Sequence, residues 1–243
     1  MVTNGQQRSV THLAERLVHL EAPKEVVLAA GEWMAHRMDQ DGFQWLRGRT
    51  SLERRVDGRI ERIRLESGRW NKTGKLIEFS VVGLEVFDQG LKEWRQCNSD
   101  LTVERPDSAE GTVCVTSFLD ISREAKAIVT ISGSRVAVVD RLCDHVREVA
   151  LPWFDSSRKL EDLAEAVPDA LLRPTGFGQD LVEFLVSRGL YAEARSLIRR
   201  VLSLGEGYRD SFSQGRDIAI SGGRPSWHSP QALGWSSEVL GLL

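Results

Sequence analysis

"RRVDGRIERIRLESGRW", residues 54–70, decides how this chain reads. Asp57-Gly58 stands between two runs in which apolar and charged residues alternate. The dipeptide suits a two-residue type I′ turn, because both of its positions need positive φ. That turn sets a register in which Val56 faces Arg59, Arg54 faces Glu61, Glu53 faces Arg62, Leu52 faces Ile63, Thr50 faces Leu65 and Arg49 faces Glu66. Side chains alternate along a strand, so Thr50, Leu52, Val56, Ile63 and Leu65 share the face expected to be buried. The opposite face carries Arg49, Glu53, Arg55, Arg62, Arg64 and Glu66.

So many arginines raise one question: anion-binding surface, or the wet side of a hairpin. Glu53–Arg62 and Arg49–Glu66 are directly opposed charge pairs, each worth about 0.2–1 kcal/mol. Only Arg55 and Arg64 are then expected to lack a partner, which favours a solvated surface neutralised by its own neighbours. The other reading is a phosphate or acidic-partner site centred on Arg55 and Arg64. Trp45 and Trp70 would flank it, since aromatics beside arginine suit stacking on bases. The side on which they stand depends on whether Gly48 introduces a bulge.

The wider composition narrows the classes. The chain has 243 residues, 41% apolar and 28% charged, which is ordinary for a globular protein. A net charge of -3 argues against a nucleic-acid coat, since such domains are strongly basic. Arginine outnumbers lysine 26 to 6, but the arginines are spread throughout, as a coding bias would spread them. Cys97, Cys114 and Cys143 are odd in number and lack CxxC spacing, against both a disulfide framework and a zinc knuckle. "MVTNGQQRSVTHLAERL" has no apolar core of a signal peptide, and no segment approaches the ~18 apolar residues of a spanning helix. The sequon at Asn71-Lys72-Thr73 therefore reads as a turn, and the expected setting is a reduced cytoplasm without membrane contact.

Val10, Leu13, Leu17 and Leu20 form a helical stripe, and Val26, Val27, Ala30, Trp33, Met34 and Met38 a second one after Pro23. From Phe43 the period becomes that of strands. "FQWLRGRTSLERRV" is expected as one strand, Arg59 to Ser67 as the next, "LIEFSVVGLEVF" as a strand covered on both faces, "TVCVTSFLDI" as a fourth and "AKAIVTIS" as a fifth. "LKEWR" reads as a short helical turn. Val136, Val139, Leu142, Val146 and Val149 mark a helix that Pro152 should end. A helical hairpin follows "RPTGFGQD", with Leu181, Phe184 and Leu185 on one arm, Gly189 at the break, and Ala194, Leu197, Ile198 and Val201 on the other. From Gly205 the composition is that of a Gly/Ser-rich tail, partly ordered. The expectation is an α+β fold: an antiparallel meander of four to five strands packed with helices over residues 1–170, an appended helical hairpin over 171–205, and the tail over 206–243.

No GxxxxGK[ST], HExxH or GxSxG motif occurs, and no cofactor or metal is expected. Cys143-Asp144-His145 resembles part of a thiol site, but residues two apart on a helix diverge. Cys143 is therefore expected in the core and His145 near the surface. His12, His19, His36 and His228 have no partners at ligand spacing. Asp155, Glu161, Asp162, Glu165 and Asp169 read as the solvated face of a helix with Leu160, Leu163 and Val167 turned inward.

The order of elements carries a resemblance. A helix leads through Gly42-Phe43 into a meander, the meander closes in "LKEWR" around Trp94, and a later helix runs into Pro152-Trp153-Phe154. Over roughly residues 24–170 this resembles small bacterial α+β domains of unknown function, some of them immunity-like. The resemblance implies the fold and no catalytic residues. The function expected on these grounds is binding of another macromolecule, foremost a protein. A nucleic-acid or phosphate-binding module is the alternative, and an enzyme of unrecognised type the third reading.

Overall fold

The computed structural model describes residues 4–122, 126–129, 131–169, 172 and 178–243. It has the α+β architecture, with an antiparallel sheet and helices. Two helices open the chain, α1 (Asn4–His19) and α2 (Pro23–Arg37). Pro23 stands in the first turn of α2, where its missing N–H costs nothing. Gly42 then turns the chain in the left-handed region at φ 81 and delivers Phe43, 1% exposed, to the core.

The expected first strand is instead a hairpin of its own, β1 (Gln44–Leu46) and β2 (Ser51–Val56). They pair antiparallel, with Trp45 opposite Leu52. The turn between them includes Gly48, and Thr50 leaves it at φ 51. The Gly-containing step does more than bulge the strand; it reverses it. Asp57 and Gly58 form the next turn with both φ positive, at 51 and 79, and β3 (Arg59–Ser67) follows. Leu52, Ile63 and Leu65 are all buried, and Leu65 N–H donates to the Thr50 carbonyl, as the register requires.

Next come β4 (Glu78–Asp88), α3 (Gln89–Cys97), β5 (Thr112–Ser117), α4 (Phe118–Ile121) and β6 (Lys126–Ile128). The sheet order is β1-β2-β3-β4-β5, with β6 also on β4. β6 thus does not extend the meander beyond β5. It pairs antiparallel with the first residues of β4, Glu78 opposite Ile128, after α4 has broken the strand direction. The ends of "AKAIVTIS" that include Ala125 and Thr130 lie outside the described residues.

α5 spans Arg135–Arg158 and passes through Pro152, where the sequence predicts a stop. Pro152 is exposed, whereas Trp153 and Phe154 are 8% and 0% exposed. Burial of those two rings outweighs one lost helical hydrogen bond. α6 (Leu160–Ala166), α7 (Gly178–Ser187), α8 (Tyr191–Ser203), α9 (Glu206–Ile220) and α10 (Ala232–Val239) complete the chain. The expected loop at "RPTGFGQD" lies mostly outside the described residues.

The chain forms two compact units, neither of them a continuous run. One gathers Met1–Val56, Ile60–Leu84 and Ser117–Pro152; the other gathers Asp57–Arg59, Glu85–Thr116 and Trp153–Leu243. In the second, α7, α8, α9 and α10 each contact the next, and α10 returns to α7. The segment that reads as a Gly/Ser-rich tail therefore supplies half of a four-helix group. Its glycines are points of contact: a Cβ on Gly215 would stand 2.1 Å from the Gln231 carbonyl, and one on Gly234 2.0 Å from that of Phe212.

Candidate functional site

In the first unit, the hairpin distributes its arginines unequally. Arg54 turns to the buried side, pairs with Glu61 at 2.6 Å, donates to the Asp41 carbonyl and lies over the Phe43 ring. It is a structural arginine. On the outer face Arg62 pairs with Glu53 at 2.6 Å, as the register predicts. The expected Arg49–Glu66 pair is replaced by two others, Arg49 with Glu53 at 3.4 Å and Arg64 with Glu66 at 3.9 Å. The cause is the extra turn: Arg49 sits in it rather than on β2, off the ladder that would have faced it to Glu66. Arg64, expected without a partner, thus has one; Arg55 is exposed at the far end of β2.

The two tryptophans separate. Trp45 lies on the Leu52 side of the sheet and sets its ring against Gly31 of α2, where a Cβ would come within 2.5 Å of it. It therefore faces away from the arginines, because the β1–β2 turn fixes its side. Trp70 is 70% exposed, with the Arg69 guanidinium 5.3 Å from its ring centre.

Asn71 holds that position. Its amide donates to the Glu78 carbonyl at 2.7 Å, and its Oδ1 accepts from the Glu78 N–H at 2.8 Å. The side chain imitates a paired backbone and pins the turn that carries Trp70 to the start of β4. Glu78 in turn faces Ile128, so Trp70 stands at the same end of the sheet as Ile128 and Ile131, which are 57% and 73% exposed.

The second unit contains a group of charges that sequence reasoning missed. Arg95 of α3 donates from Nε to Glu183 at 2.7 Å and from Nη2 to Asp180 at 2.9 Å. Its Nη1 donates to the carbonyls of Glu110 and Thr112. Arg105 bridges the same two carboxylates, with Nη1 to Asp180 and Nη2 to Glu183. None of the four side chains is more than 3% exposed. Two guanidiniums and two carboxylates leave the quartet electrically balanced, the condition under which buried charge is tolerated. Burial acts to raise the Asp180 pKa, but Arg95, His228 and Arg105 outweigh it and hold the carboxyl below its ordinary value. His228 Nε2 stands 3.8 Å from Asp180 Oδ2, too far for a hydrogen bond, so its influence is electrostatic.

A signal for this quartet was present. Every residue of α7 from Gly178 to Val186 is buried, and Leu181, Val182, Phe184, Leu185 and Val186 leave its polar residues no wide solvent face. Asp180 and Glu183, one turn apart on it, need cationic partners.

The other sequence candidates are dispersed. Cys143 is buried and His145 half-buried; His145 turns to Ser122, 2.5 Å from its Oγ. Asp155, Asp162 and Asp169 are exposed and paired separately with Arg158, Lys159 and Arg200, while the side chain of Glu161 lies outside the described residues. Among the described residues there is no metal-binding group of His, Cys, Asp or Glu, and no helix long and apolar enough to cross a membrane. No protein-family model, curated protein or solved structure matches this chain.

Proposed function

We propose that this chain acts by binding another protein through the sheet end that carries Trp70. The observation behind this is the exposed Trp70, held by the Asn71 clamp with Arg69 beside it. Exposed, rigidly placed Trp and Arg side chains are the residues that dominate protein interfaces. Ile128 and Ile131 add exposed apolar side chains at the same end of the sheet, and Arg64 and Glu66, exposed on β3, add charged ones of the kind found at an interface rim. The three free cysteines suit a reducing, cytoplasmic setting.

One observation favours a second reading. Arg69 beside Trp70 is also a platform for an unstacked base. The glutamates on the neighbouring face weigh against it, since each subtracts from the field a phosphate backbone needs.

The test is affinity capture from the cells that express the protein, wild type beside a Trp70→Ala, Ile131→Ser variant. A single stoichiometric protein that survives moderate salt on the wild type and is lost from the variant supports the proposal. Equal capture by both refutes this site. Capture of nucleic acid that falls away steeply with salt selects the second reading.

A further inference from the structure

In the second unit a cleft of about 180 Å³ opens beside the buried quartet, lined in part by Arg105, Arg224, Ser99, Val103, Glu104 and Glu110. We propose that it binds a small zwitterion, a molecule of amino-acid size with one carboxylate and one ammonium group.

The bonds of Arg95 to Glu183, to the carboxylate and carbonyl of Asp180, and to the carbonyls of Glu110 and Thr112 occupy its whole guanidinium. Arg105 commits one N–H of each terminal nitrogen to Asp180 and Glu183. A guanidinium has five N–H donors, so Arg105 keeps capacity for the cleft while the carboxylates behind it fix its plane. Arg224, exposed on the rim, is steadied by the Asp100 carbonyl at 3.1 Å and by the Trp235 ring. These two arginines form the carboxylate half of the site.

Glu104 and Glu110 bring negative charge to the same cleft, and Gln96 donates to Glu110 at 2.8 Å. A simple anion entering here meets two carboxylates, and a simple cation meets the guanidiniums. Only a ligand bearing both charges satisfies both sets, and that selects a zwitterion over phosphate or a polyamine. Size agrees. A cleft of about 180 Å³ admits a molecule as small as L-alanine, and Val103 in its lining offers the methyl group an apolar contact.

The test is calorimetric titration of the full chain with L-alanine, beside acetate and methylammonium as its two halves. Alanine is expected to bind with a Kd of about 1 mM or tighter, and each half at least about tenfold more weakly, the step that 1.4 kcal/mol represents. Glu104→Gln and Ser99→Ala, both on exposed rim residues, should weaken alanine binding at an unchanged melting temperature. Arg224→Gln should weaken alanine and acetate together. Absence of alanine binding, acetate binding as tightly as alanine, or indifference to Glu104→Gln overturns the proposal.

Discussion

Arg95 and Glu183 meet at 2.7 Å, and neither side chain is more than 2% exposed. Removing one member of a buried pair leaves its partner's charge uncompensated, which costs about 3–5 kcal/mol. Glu183→Gln keeps the shape of the side chain but leaves two guanidiniums facing one carboxylate. We expect a loss of stability of that order, read as a lower midpoint in urea unfolding at neutral pH. A midpoint unchanged from the wild type would show that the quartet is not an electrostatic unit.

The same quartet sets an acid limit. Asp180 has its pKa below the ordinary 3.8, since Arg95, His228 and Arg105 together overcome the cost of burial. A carboxylate with a depressed folded pKa contributes stability that is fully present above its unfolded value and is lost as pH falls through the folded one. The contribution of Asp180 should therefore hold down to about pH 4 and fade below it. Asp180→Asn should flatten that acid limb of stability against pH, measured by urea unfolding at several pH values. A limb of unchanged steepness would assign it to other carboxylates.

Gly215 and Gly234 provide the third prediction. Each stands where a Cβ would fall at about 2 Å from a backbone carbonyl of the facing segment, 2.1 Å for Gly215 and 2.0 Å for Gly234. Backbone cannot swing aside as a side chain can, so Gly234→Ala must push α9 and α10 apart. Overpacking of this kind costs about 1–3 kcal/mol, although alanine on its own favours a helix over glycine. A lowered melting temperature is the expected sign. A raised one would show that the two helices do not cross this closely.

How far the sequence could be read follows from what each signal measures. The Asp57-Gly58 turn and the buried side of its hairpin were legible because a type I′ turn and a period of two leave one register. The Gly189 break between α7 and α8 was legible for the same local reason. The failures involve contacts distant in sequence. Gly215 and Gly234 look like the glycines of a loose tail until their helices meet. Pro152 looks like a stop until Trp153 and Phe154 are buried beyond it. Asp180 and Glu183 required Arg95 and Arg105, which are more than seventy residues away. The β1–β2 reversal was local, yet "LRGRTS" lacks a two-residue turn motif; it moved Arg49 off its expected ladder and fixed the side of Trp45, which the sequence left open.

The cysteines differ enough to be told apart by reaction. Burial raises the pKa of Cys114 and of Cys143 to about 12 each, whereas Cys97 is exposed. The thiolate is the reactive form, so at pH 8 the native protein should release one equivalent of thionitrobenzoate from Ellman's reagent promptly. In denaturant it should release three. Three prompt equivalents in the native state would place the two buried thiols in segments that open readily.

The last prediction concerns Arg55 and Arg64. Arg64 is half-exposed, with its carboxylate partner Glu66 at 3.9 Å and more exposed still, and exposed pairs of this kind contribute about 0–1 kcal/mol. Arg55 is exposed as well. Changing both to Gln should leave stability within the roughly ±0.5 kcal/mol of ordinary surface substitutions. On the same face Arg62 and Arg49 are both held by Glu53, which lowers the cationic field left there for phosphates. A gel-shift titration with unrelated single-stranded oligonucleotides at two salt concentrations, wild type beside the double variant, checks the point. Neither protein should shift the oligonucleotides at physiological salt. A salt-sensitive shift by the wild type that disappears in the variant would make this face a nucleic-acid surface and displace protein binding as the function.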